Sequence, residues 1–236
     1  MKRGFYTIMS AQFFSSLADN ALFVAAVELL RADGAPEWQR AALVPMFALF
    51  YVVLAPFVGA FADALPKGKV MFVANSIKIV GCLMMLFGTH PLLAYAVVGL
   101  GAAAYSPAKY GILTELLPPS QLVKGNGWIE GLTVASIVLG ILLGGQLIGP
   151  RIAGELLGLD LPLLDTGVET APEAAIVVIL FVYDFAALLN LKIPRTSAPL
   201  IPMDRVSALV RDFSRCNARL WADRLGQISL ATTTLL

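Results

Sequence analysis

Gly59-Ala60-Phe61-Ala62-Asp63-Ala64-Leu65-Pro66-Lys67-Gly68-Lys69 is a short polar turn set between two long apolar stretches, roughly 41–62 and 70–89. A hydrocarbon core of about 30 Å takes about 20 helical residues at about 1.5 Å each. Each flank of the turn meets that length, so the turn reads as the surface connection between two antiparallel membrane spans. Working outward, four more stretches of the same kind lie at 5–30, 92–113, 125–149 and 174–193. Backbone groups in lipid must be satisfied within their own segment, so all six spans are expected to be helices. A seventh apolar stretch starts near Gly226 and stops at Leu236, which reads as the truncated start of a further span.

Composition agrees with lipid as the solvent. The 236 residues are 58% hydrophobic and 14% charged, with mean hydropathy +0.79. Soluble domains are nearer a quarter charged. A net charge of +1 gives no footprint for nucleic acid. Cys82 and Cys216 form no spaced cluster, and one histidine, His90, supplies no metal site alone, so neither metal nor cofactor is expected. His90-Pro91 has no acid nearby, which argues against a membrane acyltransferase and against an enzyme in general. Met1-Lys2-Arg3 leads into a run too long for a signal-peptide core, and it is taken as a retained first span.

Basic residues set the expected orientation. With the N-terminus inside, Lys2, Arg3, Lys67, Lys69, Lys124 and every basic residue from Lys192 to Arg224 lie on the inner side, against Arg31, Arg40 and Arg151 outside. The count is twelve against three and predicts a cytoplasmic N-terminus. Loop 150–173 is then outer and acidic, carrying Glu155, Asp160, Asp165, Glu169 and Glu173. Arg205, Arg211, Arg215 and Arg219 recur along the inner linker at spacings that suggest an amphipathic helix on an anionic leaflet. The expected organisation is an all-α bundle at 1–193, a basic linker at 194–225 and the opening of a seventh helix at 226–236. That order matches the midpoint of a twelve-helix transporter built from two parallel halves.

Polar side chains inside spans call for partners or roles. Gln12, Ser16 and Asp19 share one face of span one, with Asn20 beside them. Asp19 is roughly 21 Å from the inner surface, too deep to snorkel. In span four, Pro107 loosens the turn before Lys109, whose depth of about 12 Å leaves it about 9 Å below Asp19. Asn75 and Lys78 share a face of span three, Asp184 lies near the middle of span six, and Glu130 is nearer an interface. Gly127, Gly131, Gly140, Gly144 and Gly149 suggest close helix packing.

The turn at 59–69 resembles the loop signature of the major facilitator superfamily: Gly, three residues, an acid, then basic-Gly-basic. Gly59 is expected to let two helices approach closely and Asp63 to meet the positive end of a neighbouring helix. Lys67, Gly68 and Lys69 complete a structural gate at the inner face. Ala64 stands where the family usually carries a basic residue. A narrower resemblance lies in Asp19-Asn20-Ala21-Leu22, Ala55-Pro56-Phe57-Val58-Gly59 and Lys67-Gly68-Lys69-Val70-Met71. It continues through the run Tyr105-Ser106-Pro107-Ala108-Lys109-Tyr110-Gly111 and Leu122-Val123-Lys124-Gly125-Asn126-Gly127. These are similar to the bacterial lysophospholipid transporters and spread in order over 10–145. The resemblance implies a six-helix N-terminal half that moves lysophosphatidylethanolamine and lysophosphatidylglycerol from the outer to the inner leaflet of the bacterial inner membrane. It also implies a partner acyltransferase–acyl-carrier-protein synthetase that re-acylates them. Asp19, Asn20 and Lys109 would hold the headgroup, with Lys109 on the phosphate and Asp19 either on the ammonium or holding Lys109. Gly144 is followed by Gly145 rather than Pro, unlike the superfamily's drug antiporters. A small-solute transporter working through Asp19 and an inactive half acting as a membrane scaffold are the competing readings.

Overall fold

The computed structural model describes residues 3–158, 168–203 and 205–235. Among them there is no strand. The chain runs α1 (Arg3–Ala32), α2 (Glu37–Val53), α3 (Ala55–Ala64), α4 (Lys67–Leu86), α5 (Pro91–Leu116), α6 (Pro119–Ile148), α7 (Pro150–Leu157), α8 (Ala171–Leu191), α9 (Val206–Ala222) and α10 (Arg224–Leu235). Five of these are long and apolar enough to cross a membrane, and α2 with α3 makes a sixth span if the bent pair is one crossing. Proline opens or nearly opens α3, α5, α6, α7 and α8. It suits the first turn because its missing N–H would have no acceptor there and its φ is already helical. At α8 the Glu173 carboxylate also reaches back to accept the Thr170 N–H at 2.9 Å.

The span expected at 41–62 is not straight. Its two helices meet at Leu54 with a bend of 65°. Pro56 lies just past the break, and its ring displaces the carbonyl four residues earlier, at Val52, so the ladder restarts from Leu54. Pro107, in contrast, lies inside an unbroken α5. The loosened turn expected before Lys109 is limited to one missing donor. Loop 150–173, expected as a plain connection, contains the short helix α7; Asp160 and Asp165 lie outside the described residues, as do Met1 and Lys2.

Helix α1 runs through the bundle against α5, α6 and α8, while α4 packs between α5 and α8, and α2 covers α5. Small residues permit these close crossings. On α6, a Cβ at Gly140 would sit 2.5 Å from the Leu17 carbonyl oxygen, and one at Gly144 would sit 2.8 Å from that of Ala21. Gly127 and Gly131 meet nothing within 4 Å, so only part of the glycine series packs helices. Gly59 is likewise open and exposed, which corrects the close approach expected of it; Gly68 takes that part, against the Asn190 carbonyl and Ile193. Gly140→Leu is therefore expected to destabilise the purified chain by about 3 kcal/mol, the upper range for overpacking, and Gly131→Leu by under about 0.5 kcal/mol. Thermal unfolding in detergent checks this, and equal losses would refute the assigned crossing.

The N-terminal turn of α1, the C-terminal ends of α5 and α8 and the start of α6 gather at one end of the bundle. Gly4 there meets Pro194, and Gly125 lies against the Leu117 and Phe5 side chains. This basic end also holds Lys67, Lys69 and Arg195. The segment after α8 crosses it, and the Ile201 N–H donates to the Asp63 carbonyl at 3.0 Å. Helix α9 follows, touching α3 and α10 and burying none of its residues. Its apolar side chains Val206, Val210, Phe213 and Trp221 are exposed, opposite a basic face.

Candidate functional site

Against the apolar bundle lies a cavity of about 470 Å³, its charged side chains coming from α1, α4 and α5 and its lining from α2 and α6 mostly apolar. That volume is in the ordinary range of ligand pockets. Asp19, Asn20 and Lys109 all line it, so the structure brings together the three residues singled out from sequence.

Asp19 does not hold Lys109. Its Oδ2 accepts from Lys78 Nζ at 2.8 Å, and its Oδ1 accepts from the Tyr183 hydroxyl at 2.6 Å. Lys78 also donates to Ser15 Oγ at 3.0 Å, and Ser15 donates to Asn75 Oδ1 at 2.7 Å. The Lys78 ammonium lies 5.3 Å from the Tyr105 ring centroid and 5.6 Å from that of Tyr183, close enough for cation–π attraction. Lys78 is 2% exposed and Asp19 is 17% exposed, so the pair is anchored at the wall with the carboxylate edge open to the cavity. Each carboxylate oxygen carries one bond here and has a second lone-pair site left. Sequence reading placed Asn75 and Lys78 on one face but assigned neither a partner. Tyr183 gave no signal at all, since an aromatic in an apolar span reads as core.

Lys109 is 7% exposed. Its ammonium lies 4.5 Å from the Tyr110 ring centroid, and among the described residues it has no ion pair or hydrogen bond. The Tyr110 hydroxyl itself donates to Glu130 at 2.8 Å. Asn20 turns its amide back to the Ser16 carbonyl at 2.8 Å, beside the crossing at Gly140. Gln12 reaches Thr133 at 3.4 Å across α1 and α6. The cavity thus carries two ammonium groups and one carboxylate, with one ammonium unpaired. Such a lining suits a ligand that brings an anionic group.

The turn at 59–69 forms a separate cluster at the basic end. Lys67 is buried and donates to Asp63 Oδ1 at 2.5 Å and to the Ala62 carbonyl at 2.8 Å, with Glu115 at 3.8 Å. Thr196 hydrogen-bonds Glu115. Lys67 is therefore a tie between α3, α4 and α5 and does not extend to a leaflet; Lys69 is the exposed member of the pair. Asp184, half-buried on α8, has no hydrogen bond or ion pair among the described residues.

Five membrane-length helices, six crossings if the bent pair α2–α3 is one, packed around a cavity with charged side chains in its wall define a polytopic membrane protein. The chain belongs to the Major Facilitator Superfamily, whose family model matches residues 8–198. It is 41% identical over all 236 residues to the "Lysophospholipid transporter LplT" of Yersinia enterocolitica serotype O:8 / biotype 1B, of which it covers 54%. The protein of the same name from Yersinia pestis (strain Pestoides F) is also 41% identical, with 53% covered. The chain spans about half the length of these curated relatives. Among solved structures it resembles a bacterial homolog of the human lysosomal transporter Spinster in an inward-facing, unoccupied conformation. There the TM-score is 0.70 at 19% identity, covering 87% of this chain and 47% of that one. The same homolog in its occupied conformation gives 0.66 at 20% identity, with 85% and 45% covered. These two likenesses speak to the fold alone.

Proposed function

We propose that this chain forms the N-terminal half of a lysophospholipid transporter, with the cavity at Asp19, Asn20 and Lys109 receiving the headgroup. The observation that carries the reading is Lys109, a buried ammonium at the cavity wall that makes no direct ion pair or hydrogen bond among the described residues. An unpaired charge at such depth is unfavourable by several kcal/mol unless a ligand compensates it. A phosphodiester does so as a point-charge partner. The relatives' name supplies the lipid class. Asp19 keeps lone pairs free on the cavity side, so an ethanolamine ammonium has an acceptor without displacing Lys78. The apolar walls from α2 and α6 suit an acyl chain.

The uneven distribution of Lys and Arg supports placing the basic end in the cytoplasm of a bacterial inner membrane. Uptake from the outer to the inner leaflet, followed by re-acylation by an acyltransferase–acyl-carrier-protein synthetase, rests on the motif resemblance. The chain spans about half of its relatives' length, so transport is expected to need the other half-bundle of the fold.

The test is uptake of labelled lysophosphatidylethanolamine by spheroplasts lacking their own transporter, with this chain and a full-length relative side by side. Uptake by the full-length protein alone is expected and restricts activity to the complete cavity. Uptake by this chain as well assigns the second half-bundle to another copy. If neither protein restores uptake while both insert normally, the lysolipid reading fails.

A further inference from the structure

Helix α9 carries one continuous apolar face that the described residues leave unburied. At about 100° per residue, Val206, Leu209, Val210, Phe213, Leu220 and Trp221 fall within an arc of about 120°. Asn217 is the one polar side chain inside that arc. Leu209 is half-buried and the other five apolar side chains are exposed. Arg211, Arg215 and Arg219 form a row along the middle of the opposite side.

Position, charge and side-chain type agree on what covers this face. The segment before α9 is tied to the basic end of the bundle, where the Ile201 N–H donates to the Asp63 carbonyl at 3.0 Å, and α9 touches α3. The membrane-length helix α4 begins at this end and α8 finishes there, so α9 starts at headgroup depth. Segment 205–224 carries five arginines against Asp212 and Asp223. Asp212 pairs with Arg215 at 3.8 Å and with Arg211 at 4.0 Å, but these side chains are 61–67% exposed, and such pairs neutralise little. An anionic leaflet offers apolar depth and negative charge in one surface, and so matches both sides of the helix. A protein surface against the apolar arc would leave the arginine row without a counter-charge. A helix is about 10–12 Å across, so with its apolar side sunk the arginines stay within about one screening length of the headgroups. Trp221, at the end of the arc, is the side chain most at home at that level.

We propose that α9 is a membrane-surface anchor that lies along the anionic leaflet at the basic end, its apolar arc among the upper acyl chains and its arginine row above the headgroups. The occupant of the face is the bilayer itself, with anionic lipid supplying the counter-charge. The anchor is independent of the lysolipid reading, because it uses none of the cavity residues and its test needs no transport.

Asn217→Cys and Ala222→Cys, each combined with Cys216→Ser, place a single accessible thiol on either side of the helix, about 140° apart. Cys82 is fully buried and stays unlabelled. Because α9 buries none of its residues, these variants are expected to keep the unfolding temperature of the bundle. The full chain carries an environment-sensitive fluorophore on the thiol and is reconstituted into vesicles of phosphatidylcholine, alone or mixed with an equal part of phosphatidylglycerol. Quenching by spin-labelled lipid is then read. In the mixed vesicles the Asn217→Cys label is expected to be quenched at least about threefold more than the Ala222→Cys label. Its quenching is expected to fall at least about twofold in phosphatidylcholine alone, and equally on adding Arg211→Gln/Arg215→Gln/Arg219→Gln. Equal quenching at the two positions, or quenching that ignores both lipid charge and the arginines, overturns the proposal. So does shielding of the Asn217→Cys thiol from a water-soluble maleimide without lipid quenching, which assigns the face to a protein surface.

Discussion

Replacing Lys78 with Met is expected to destabilise the purified chain by about 3–5 kcal/mol, the range seen when one partner of a buried ion pair is removed. The cause is the carboxylate left behind. In the native bundle Asp19 is met by Lys78 at 2.8 Å and by Tyr183 at 2.6 Å, between helices α1, α4 and α8. Without the ammonium, a charge faces the membrane interior with one hydroxyl as its remaining bond. The double variant Lys78→Met/Asp19→Asn carries no such charge and is expected to regain most of the loss, because well-packed neutral pairs often match the ion pair they replace. Asp19→Asn alone leaves the mirror problem, an unpaired Lys78 held by Ser15 and two rings. A double-mutant cycle on unfolding temperature in detergent measures the coupling. Additive losses across the cycle would show that the contact contributes no coupling and would remove it from the account of stability.

The number and place of the spans were readable because lipid permits few alternatives: an apolar run of sufficient length is a helix. The bend at Leu54 was less visible, since Pro56 sits between two apolar segments that together have the length of one span. Asp19 shows why partners are harder to read than depth. Residue counting gives height along a helix, and by height Lys109 was an acceptable neighbour. Azimuth decides the contact, and azimuth depends on which helices flank α1. The glycines make the same point in reverse. Nine residues at about 100° each turn α6 by about half a revolution between Gly131 and Gly140, so the two face opposite ways. A helical wheel would have separated Gly140 and Gly144, which meet α1, from Gly127 and Gly131, which meet nothing.

Lys109→Met is expected to have the opposite profile to Lys78→Met: an unfolding temperature within a degree or so of wild type, or above it, and lysolipid binding weakened by about tenfold or more. Stability is spared because Lys109 makes no direct ion pair: its contact is the Tyr110 ring at 4.5 Å, and Glu130, which acts on it at a distance, keeps the hydrogen bond from the Tyr110 hydroxyl when the lysine is removed. The attraction to the ring is on the order of 1 kcal/mol and is offset by the relief of an unpaired buried charge. Binding suffers because a hydrogen bond to a charged group contributes about 1.5–3 kcal/mol, and each 1.4 kcal/mol is about tenfold in affinity. Fluorescent lysophosphatidylglycerol titrated onto the chain in nanodiscs reads the affinity, and Lys109→Arg tests whether charge alone suffices. Arg keeps the charge but changes its reach and shape, so partial recovery is expected. Unchanged affinity in a folded Lys109→Met protein would remove this lysine from headgroup recognition. A fall in unfolding temperature as large as that of Lys78→Met would instead make it a structural lysine. The two lysines sit in the wall of the same cavity. What separates the two expectations is contact: Lys78 is in a direct ion pair with Asp19, whereas Lys109 makes none and feels the Glu130 carboxylate only at a distance.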